Sequence, residues 1–269
     1  MKKSFLNVYL LFSSFTFFAC QKQIQNSAEA HNVLNGQSKT EKISIENESS
    51  ISRSLQKGLI VYYPFNGNTK DESGNKNDGI ASNLIPTIDR FGKSNRAYNF
   101  NGLQTTSGST IVCNNSVLNL GQLEYTIHIW FKIDNTTQIT RCLFNTIPHT
   151  GIGITYNDNN APGYMVYDIG PGNAFWTSLY RHGTKNNYLV GQWNCVTLTK
   201  SNTLYSIYIN GSLEDSFQNL AASAYNQLVQ FRISGINDLI YQTFTGDMDD
   251  IRIYNRTLTQ SEITYLATH

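Results

Sequence analysis

An all-β sandwich of antiparallel strands is the fold class that this 269-residue sequence predicts, on three observations. From residue 58 onward, short apolar-rich runs recur with clusters of Gly, Asn, Asp and Ser between them, which argues for a sandwich or barrel rather than βαβ units. Composition agrees: charged residues are only 14%, against 19 Gly, 16 Tyr and 14 Phe, a profile poor in the residues of helical domains. One segment alone carries a convincing helix start, the capping box Thr259-Gln260-Ser261-Glu262, so a single short helix over Ile263 to Ala267 is expected after the last strand.

The first residues stand apart from the fold. Lys2 and Lys3 precede an apolar stretch from Phe5 to Phe18 that is too short to span a bilayer. Ala19-Cys20 closes it and resembles a bacterial lipoprotein signal, in which a small residue at the cut precedes the Cys that carries the lipid. The expected organisation is a signal peptide over residues 1–19, lipidation at Cys20, a flexible polar tether over 20–56, and one domain over 57–269. The tether assignment rests on Gln, Asn, Ser, Glu and Lys with scattered Ile, Val and Leu at no helical or strand period, too few apolar groups to offset ordering. An ordinary signal peptide, with Cys20 incidental, is the other reading.

Within the domain, Leu59-Ile60-Val61-Tyr62-Tyr63 opens the sheet and Pro64 ends that pairing or marks an edge. A polar loop runs from Asn66 to Gly79. Ala97-Tyr98-Asn99-Phe100 alternates before Asn101-Gly102, a strong turn signal. Tyr125 to Ile133 has period two, with Tyr125, Ile127, Ile129, Phe131 and Ile133 on one face and Thr126, His128, Trp130 and Lys132 on the other. Leu143 to Asn145, Gly151 to Tyr156 and Tyr164 to Ile169 follow as strands. Gln192 to Lys200 pairs with Tyr205 to Ile209, which stops at a second Asn-Gly, Asn210-Gly211. Phe231 to Gly235 and Phe244 to Tyr254 complete the set.

Net charge is +1, with no Lys/Arg cluster able to neutralise several phosphates, so nucleic acid is excluded as a partner. Setting Cys20 aside leaves Cys113, Cys142 and Cys195, of which at most one pair can form a disulfide. Cys195, in an alternating strand, reads as a buried small hydrophobe.

Seven pieces in order resemble the LamG-like jelly-roll domains of the concanavalin A-like lectin/glucanase superfamily. They are Tyr62-Tyr63-Pro64-Phe65-Asn66-Gly67-Asn68, Asp71 with Ser73-Gly74-Asn75, Asp89-Arg90-Phe91-Gly92, Ala97-Tyr98-Asn99-Phe100, Gly191-Gln192-Trp193, Tyr208-Ile209-Asn210-Gly211, and Phe244-Thr245-Gly246 with Asp249 to Arg256. The resemblance covers about residues 58 to 268. It implies a two-sheet antiparallel jelly roll, often calcium-bearing, in secreted proteins that bind glycans or other surfaces.

Calcium takes six to eight oxygens from carboxylates, amides and carbonyls on loops. Asn66, Asn68 and Asp71 supply such oxygens in one loop, and Asp249 and Asp250 are neighbours on a strand, where one carboxylate must point inward. A structural Ca2+ held by these five residues is therefore expected. The alternative is that Asp71 and Ser73 form Asx turns and Asp250 pairs with Arg252 or Arg90. For a glycan, stacking rings are needed beside hydrogen-bonding groups, and Tyr156, Tyr164, Tyr167, Trp176, Tyr180, His182 and Tyr188 crowd one Gly- and Pro-rich region. Trp130 and Trp193, in regular strands, are assigned to packing. Catalysis is not expected: the glucanase Glu-x-Asp-x-x-Glu strand is absent, as is a Gly-x-Ser-x-Gly elbow.

The reading is thus a non-catalytic binding module of the cell envelope, lipid-anchored at the outer membrane or cell surface, touching the membrane only through that anchor. Its expected ligand is carbohydrate. The alternatives are an adhesive protein that contacts other surface proteins and, third, a relative of the glycoside hydrolases.

Overall fold

The structure is a computed structural model that describes residues 45–119, 124–134, 141–147, 152–158, 161–169, 180–185, 191–218, 228–236 and 242–269. The expected signal peptide, Cys20 and most of the tether lie outside these residues. Residues 45–54 form a helix, α1, where the sequence suggested no element. Its turns are reinforced locally: Ser49 Oγ donates to the Glu46 carbonyl, and Arg53 Nε donates to the Ser49 carbonyl. The helix ends at a turn in which Lys57 N–H donates to Ser54 O, followed by Gly58 at φ +69°.

The unit from Ser54 to His269 is the β domain. Its strands are β1 (Leu59–Tyr63), β2 (Ile80–Ser82), β3 (Ile85–Ile88), β4 (Ser94–Asn101), β5 (Thr110–Asn119), β6 (Glu124–Ile133), β7 (Arg141–Ile147), β8 (Ile152–Asp158), β9 (Ala161–Ile169), β10 (Tyr180–Lys185), β11 (Trp193–Ser201), β12 (Leu204–Ile209), β13 (Ser212–Gln218), β14 (Leu228–Ile233) and β15 (Thr245–Tyr254), and α2 (Gln260–Thr268) follows them. Two antiparallel sheets result. One runs β13-β12-β11-β6-β15-β4-β3, with β1 as an eighth strand on β15, and the other runs β10-β9-β8-β7-β14-β5-β2. This is the all-β sandwich expected.

Each sheet turns one face to a shared core. Val61 and Tyr63 of β1, Ile127, Ile129 and Phe131 of β6, and Ile251 and Ile253 of β15 come from the eight-stranded sheet. Phe144, Ile154 and Phe231 come from the other, and the Phe144 and Phe231 rings stack 5.4 Å apart. The two Asn-Gly signals part ways. Asn210 (φ +50°) and Gly211 (φ +84°) make the two-residue hairpin β12–β13. Gly102 (φ +65°) instead marks the corner where the chain leaves β4 for β5 in the opposite sheet.

The second face of β6 is also buried, contrary to a simple one-face-in, one-face-out reading: Thr126, His128 and Trp130 are all enclosed. α2 docks on that side. Trp130 Nε1 donates to the Leu266 carbonyl at 3.0 Å, and Thr126 Oγ1 donates to the Arg256 carbonyl. The capping box is present as expected, with Thr259 and Glu262 bonded reciprocally. Glu262 does more than cap. It pairs with Arg256 and accepts from the Ser54 hydroxyl, while Arg256 donates to the carbonyls of Ser54 and Lys57. The domain's first residues are thereby held at the foot of α2.

Candidate functional site

The two carboxylate sets named for calcium are each engaged by protein. Asp71 accepts through Oδ1 from the backbone N–H of Tyr62 and Ser73, and through Oδ2 from Asn77 N–H and the Ser73 hydroxyl. Asn68 Oδ1 accepts from Lys70 N–H, and Asn66 Oδ1 accepts from Arg96. The loop is an Asx-type scaffold that ties residues 66–79 to β1.

Asp249 and Asp250 lie where β15 changes partner. Thr245 to Met248 pair with β4, Ile251 to Tyr254 pair with β1, and the register on β6 shifts between Asp249 and Arg252. Asp250 sits at φ +46° in that bulge, so its carboxylate leaves the regular alternation. The loop after β3 delivers the counter-charge: Asp89 Oδ1 accepts from Phe91 N–H and Lys93 N–H, presenting Arg90. Arg90 Nη1 donates to Asp249 at 2.7 Å and Nη2 to Asp250 at 2.8 Å, with the guanidinium over the Phe91 and Trp130 rings. Arg252 Nε donates to Asp250 Oδ1 at 2.7 Å and Nη2 to the Tyr62 hydroxyl.

Burial opposes ionisation of Asp250, but Arg252 and Arg90 hold its carboxyl below the usual value. Burial pushes Asp249 up to about 7, against the pull of Arg90. His128 beside them is kept neutral, its pKa lowered to about 3 by burial, and its Nδ1 bonds the Thr197 hydroxyl at 2.8 Å.

Asp249 and Asp250, so engaged, do not fit a calcium ion, because two guanidinium groups already occupy their carboxylates. Among the described residues no three His, Cys, Asp or Glu side chains gather for a metal. Cys113, Cys142 and Cys195 are all buried, and burial pushes the Cys195 thiol up to about 12.

One register row further along the same face lies a row whose tryptophan, Trp193, sequence reasoning gave to packing. Trp193, Lys132, Asp247, Asn99 and Ile85 stand opposite one another across β11, β6, β15, β4 and β3. Lys132 Nζ forms an ion pair with Asp247 Oδ2 and lies 5.5 Å from the Trp193 ring centroid. Asn99 Nδ2 donates to Asp247 Oδ1 at 2.8 Å. Asp247 is buried, Trp193 and Asn99 are half-buried, and Ile85 is exposed. Gly246 makes the approach of β15 to β6 here, since a Cβ would stand 2.1 Å from the Lys132 carbonyl oxygen. An alternating strand signals such a row only in part, because period two does not say which outward rows stay uncovered.

The aromatic glycan candidates fall mainly on the seven-stranded sheet. Trp176 and Tyr188 lie outside the described residues, as do the side chains of Tyr164, Tyr167, Tyr180 and His182. Their backbones are placed by register. Tyr167 and His182 stand in the row of the core residue Ile154, Tyr180 in that of Ile152, and Tyr164 opposite Lys185. Tyr156 packs partly buried against the core. Between the core rows runs a polar one of Arg232, Asn145, Gly153, Asp168 and Arg181.

Comparison with known proteins agrees with this architecture. Domain 4 of AbnA, a GH43 extracellular arabinanase from Geobacillus stearothermophilus solved in complex with arabinotriose, superposes with TM-score 0.59 at 23% identity over 78% of this chain and 98% of its own. The binding domain of Paraclostridial Mosquitocidal Protein 1 gives 0.63 at 19% identity, over 79% of this chain and 52% of its own. The binding domain of Botulinum neurotoxin DC, in complex with rat synaptotagmin II, gives 0.58 at 14%, over 78% and 51%. At these identities the likeness is one of fold, and the chain spans about half of either toxin domain. No curated protein matches in sequence. A family profile does, over residues 104–264, and on that match, more than half of its length, the chain belongs to the Laminin_G_3 family of the concanavalin A-like lectin/glucanases superfamily.

Proposed function

We propose that the protein is a non-catalytic carbohydrate-binding module, held at the cell envelope by a lipid on Cys20. The observation that carries this reading is the arabinanase domain, a neighbour of the same fold spanned almost end to end and solved with an oligosaccharide bound. The fold hosts many functions, so the site has to bear the argument as well. One row on the outer face of the eight-stranded sheet sets the half-buried Trp193 ring beside Lys132, Asp247 and Asn99, the pairing of ring and polar groups that a sugar surface requires.

The test is a glycan-array screen of the full mature chain, run with calcium and with EDTA. Saturable binding to one sugar class is expected, and silence across the array sinks the reading. Palmitate labelling of wild type and Cys20→Ala tests the anchor, with label expected on the wild type alone.

A second reading is contact with another protein. It is favoured by Ile80, Ile85 and Ile88, which are more than half exposed on the edge strands β2 and β3. Chemical crosslinking at the cell surface, with and without Ile85→Lys and Ile88→Lys, tests it, since a genuine contact loses its crosslinks in the variants.

A further inference from the structure

We infer that the Trp193–Lys132–Asp247–Asn99 row on the outer face of the eight-stranded sheet is a subsite for a neutral oligosaccharide. The inference rests on the carbohydrate-binding reading and deepens it by naming where the ligand lies and what it is. Sugars offer apolar C–H faces for stacking and hydroxyls for paired hydrogen bonds. Trp193 supplies the first, a half-buried indole at the end of β11, beyond the stretch of that strand that β12 covers.

The polar groups beside it are arranged for the second. Asp247 is buried and held on both oxygens, by Lys132 and by Asn99, so its orientation is set before any ligand arrives. Each carboxylate oxygen retains acceptor capacity, and Lys132 and Asn99 retain donors and an acceptor at the rim. A hydroxyl pair can then bridge the Asp247 carboxylate and the Asn99 amide while the ring rests on Trp193.

Charge selects against an anionic sugar. The one cation of the row is spent on Asp247, and the carboxylate would repel an acid group placed beside it. Length selects against a monosaccharide. The row crosses five strands, four spacings or about 19 Å from Trp193 to the exposed Ile85. A ligand lying across the strands meets an aromatic at one end, polar groups in the middle and an aliphatic at the other.

The test uses the full mature chain on an array of neutral oligosaccharides that includes arabinotriose, with wild type, Trp193→Ala, Asn99→Ala and, at an exposed position of β13 outside the row, Leu213→Ala compared. Melting curves and circular dichroism run alongside establish folding. If the subsite is correct, Trp193→Ala weakens binding at least tenfold, Asn99→Ala weakens it severalfold while still melting cooperatively, and Leu213→Ala binds as wild type. Asn99→Ala, at a half-buried position, keeps the test decisive should Trp193→Ala unfold. Binding retained in both Trp193→Ala and Asn99→Ala overturns the subsite and leaves the carbohydrate reading standing. Wild type that binds no neutral glycan overturns the subsite as well, and binding confined to acidic glycans does so while keeping the module a lectin.

Discussion

Two adjacent rows on one face of the eight-stranded sheet carry similar chemistry and different fates. Trp130 and Asp249 stand opposite each other in one, Lys132 and Asp247 in the next, each beside a tryptophan and a cation. The first row lies under α2 and the Asp89–Lys93 loop, and its indole N–H is spent on Leu266. In the second, Asp247 is buried but the Trp193 ring stays half-buried, in contact with Lys132. The difference is not in the strands, which alternate alike, but in the elements laid across the first row. α2 and the Asp89–Lys93 loop turn that row into a clasp.

The contrast is most severely broken at Asp250. Replacing it with Ala leaves two guanidinium groups enclosed without their shared partner, and a loss of about 3–5 kcal/mol in urea unfolding is expected. The tryptophans sharpen it. Trp130→Phe strands the Leu266 carbonyl and costs about 1–3 kcal/mol, whereas Trp193→Phe stays within about 0.5 kcal/mol. Equal costs from denaturant curves would mean that both rows are packing.

A smaller effect is expected at the foot of the cover. Arg256, Thr259 and Ser54 hold the Glu262 carboxyl down to about 2 from an ordinary value of 4.5, despite its burial. A carboxyl depressed in the folded state adds stability above its unfolded value and loses it as pH falls through the folded one. The stability gap between wild type and Glu262→Gln should therefore be fully open above pH about 4.5 and close toward pH about 2. A gap that does not change over that window would remove Glu262 from the account. The least effect is expected from calcium. With Asp71 bound to backbone amides and Asp250 to arginines, melts in calcium and in EDTA should coincide.

Much of this was legible in the sequence. The alternation from Tyr125 to Ile133 specifies β6 and its core face because burial on one side imposes period two. Thr259-Gln260-Ser261-Glu262 specifies where α2 starts because its two hydrogen bonds are local. What the helix then covers is not local. Nothing in Thr126, His128 and Trp130 says that residues far along the chain will seal them, and the packing expected of both tryptophans is complete at Trp130 and only half made at Trp193. For the Asp249-Asp250 pair the sequence leaves two readings, and the structure bears out the pairing of Asp250 with Arg90 and Arg252. A bulge with a left-handed residue sends both carboxylates to one arginine, and period two cannot express that. The Asn-Gly pairs show the same limit, since the dipeptide encodes a turn but not whether the next strand returns to the same sheet.

The Arg256–Glu262 clasp has a consequence for the two ends of the domain. Because Ser54 is hydrogen-bonded to the first turn of α2, the polypeptide enters the sandwich beside the point where its final helix begins. From there the chain runs only the nine residues of α2, about 13 Å, so the first and last elements of the domain are tied to each other rather than left to fray apart.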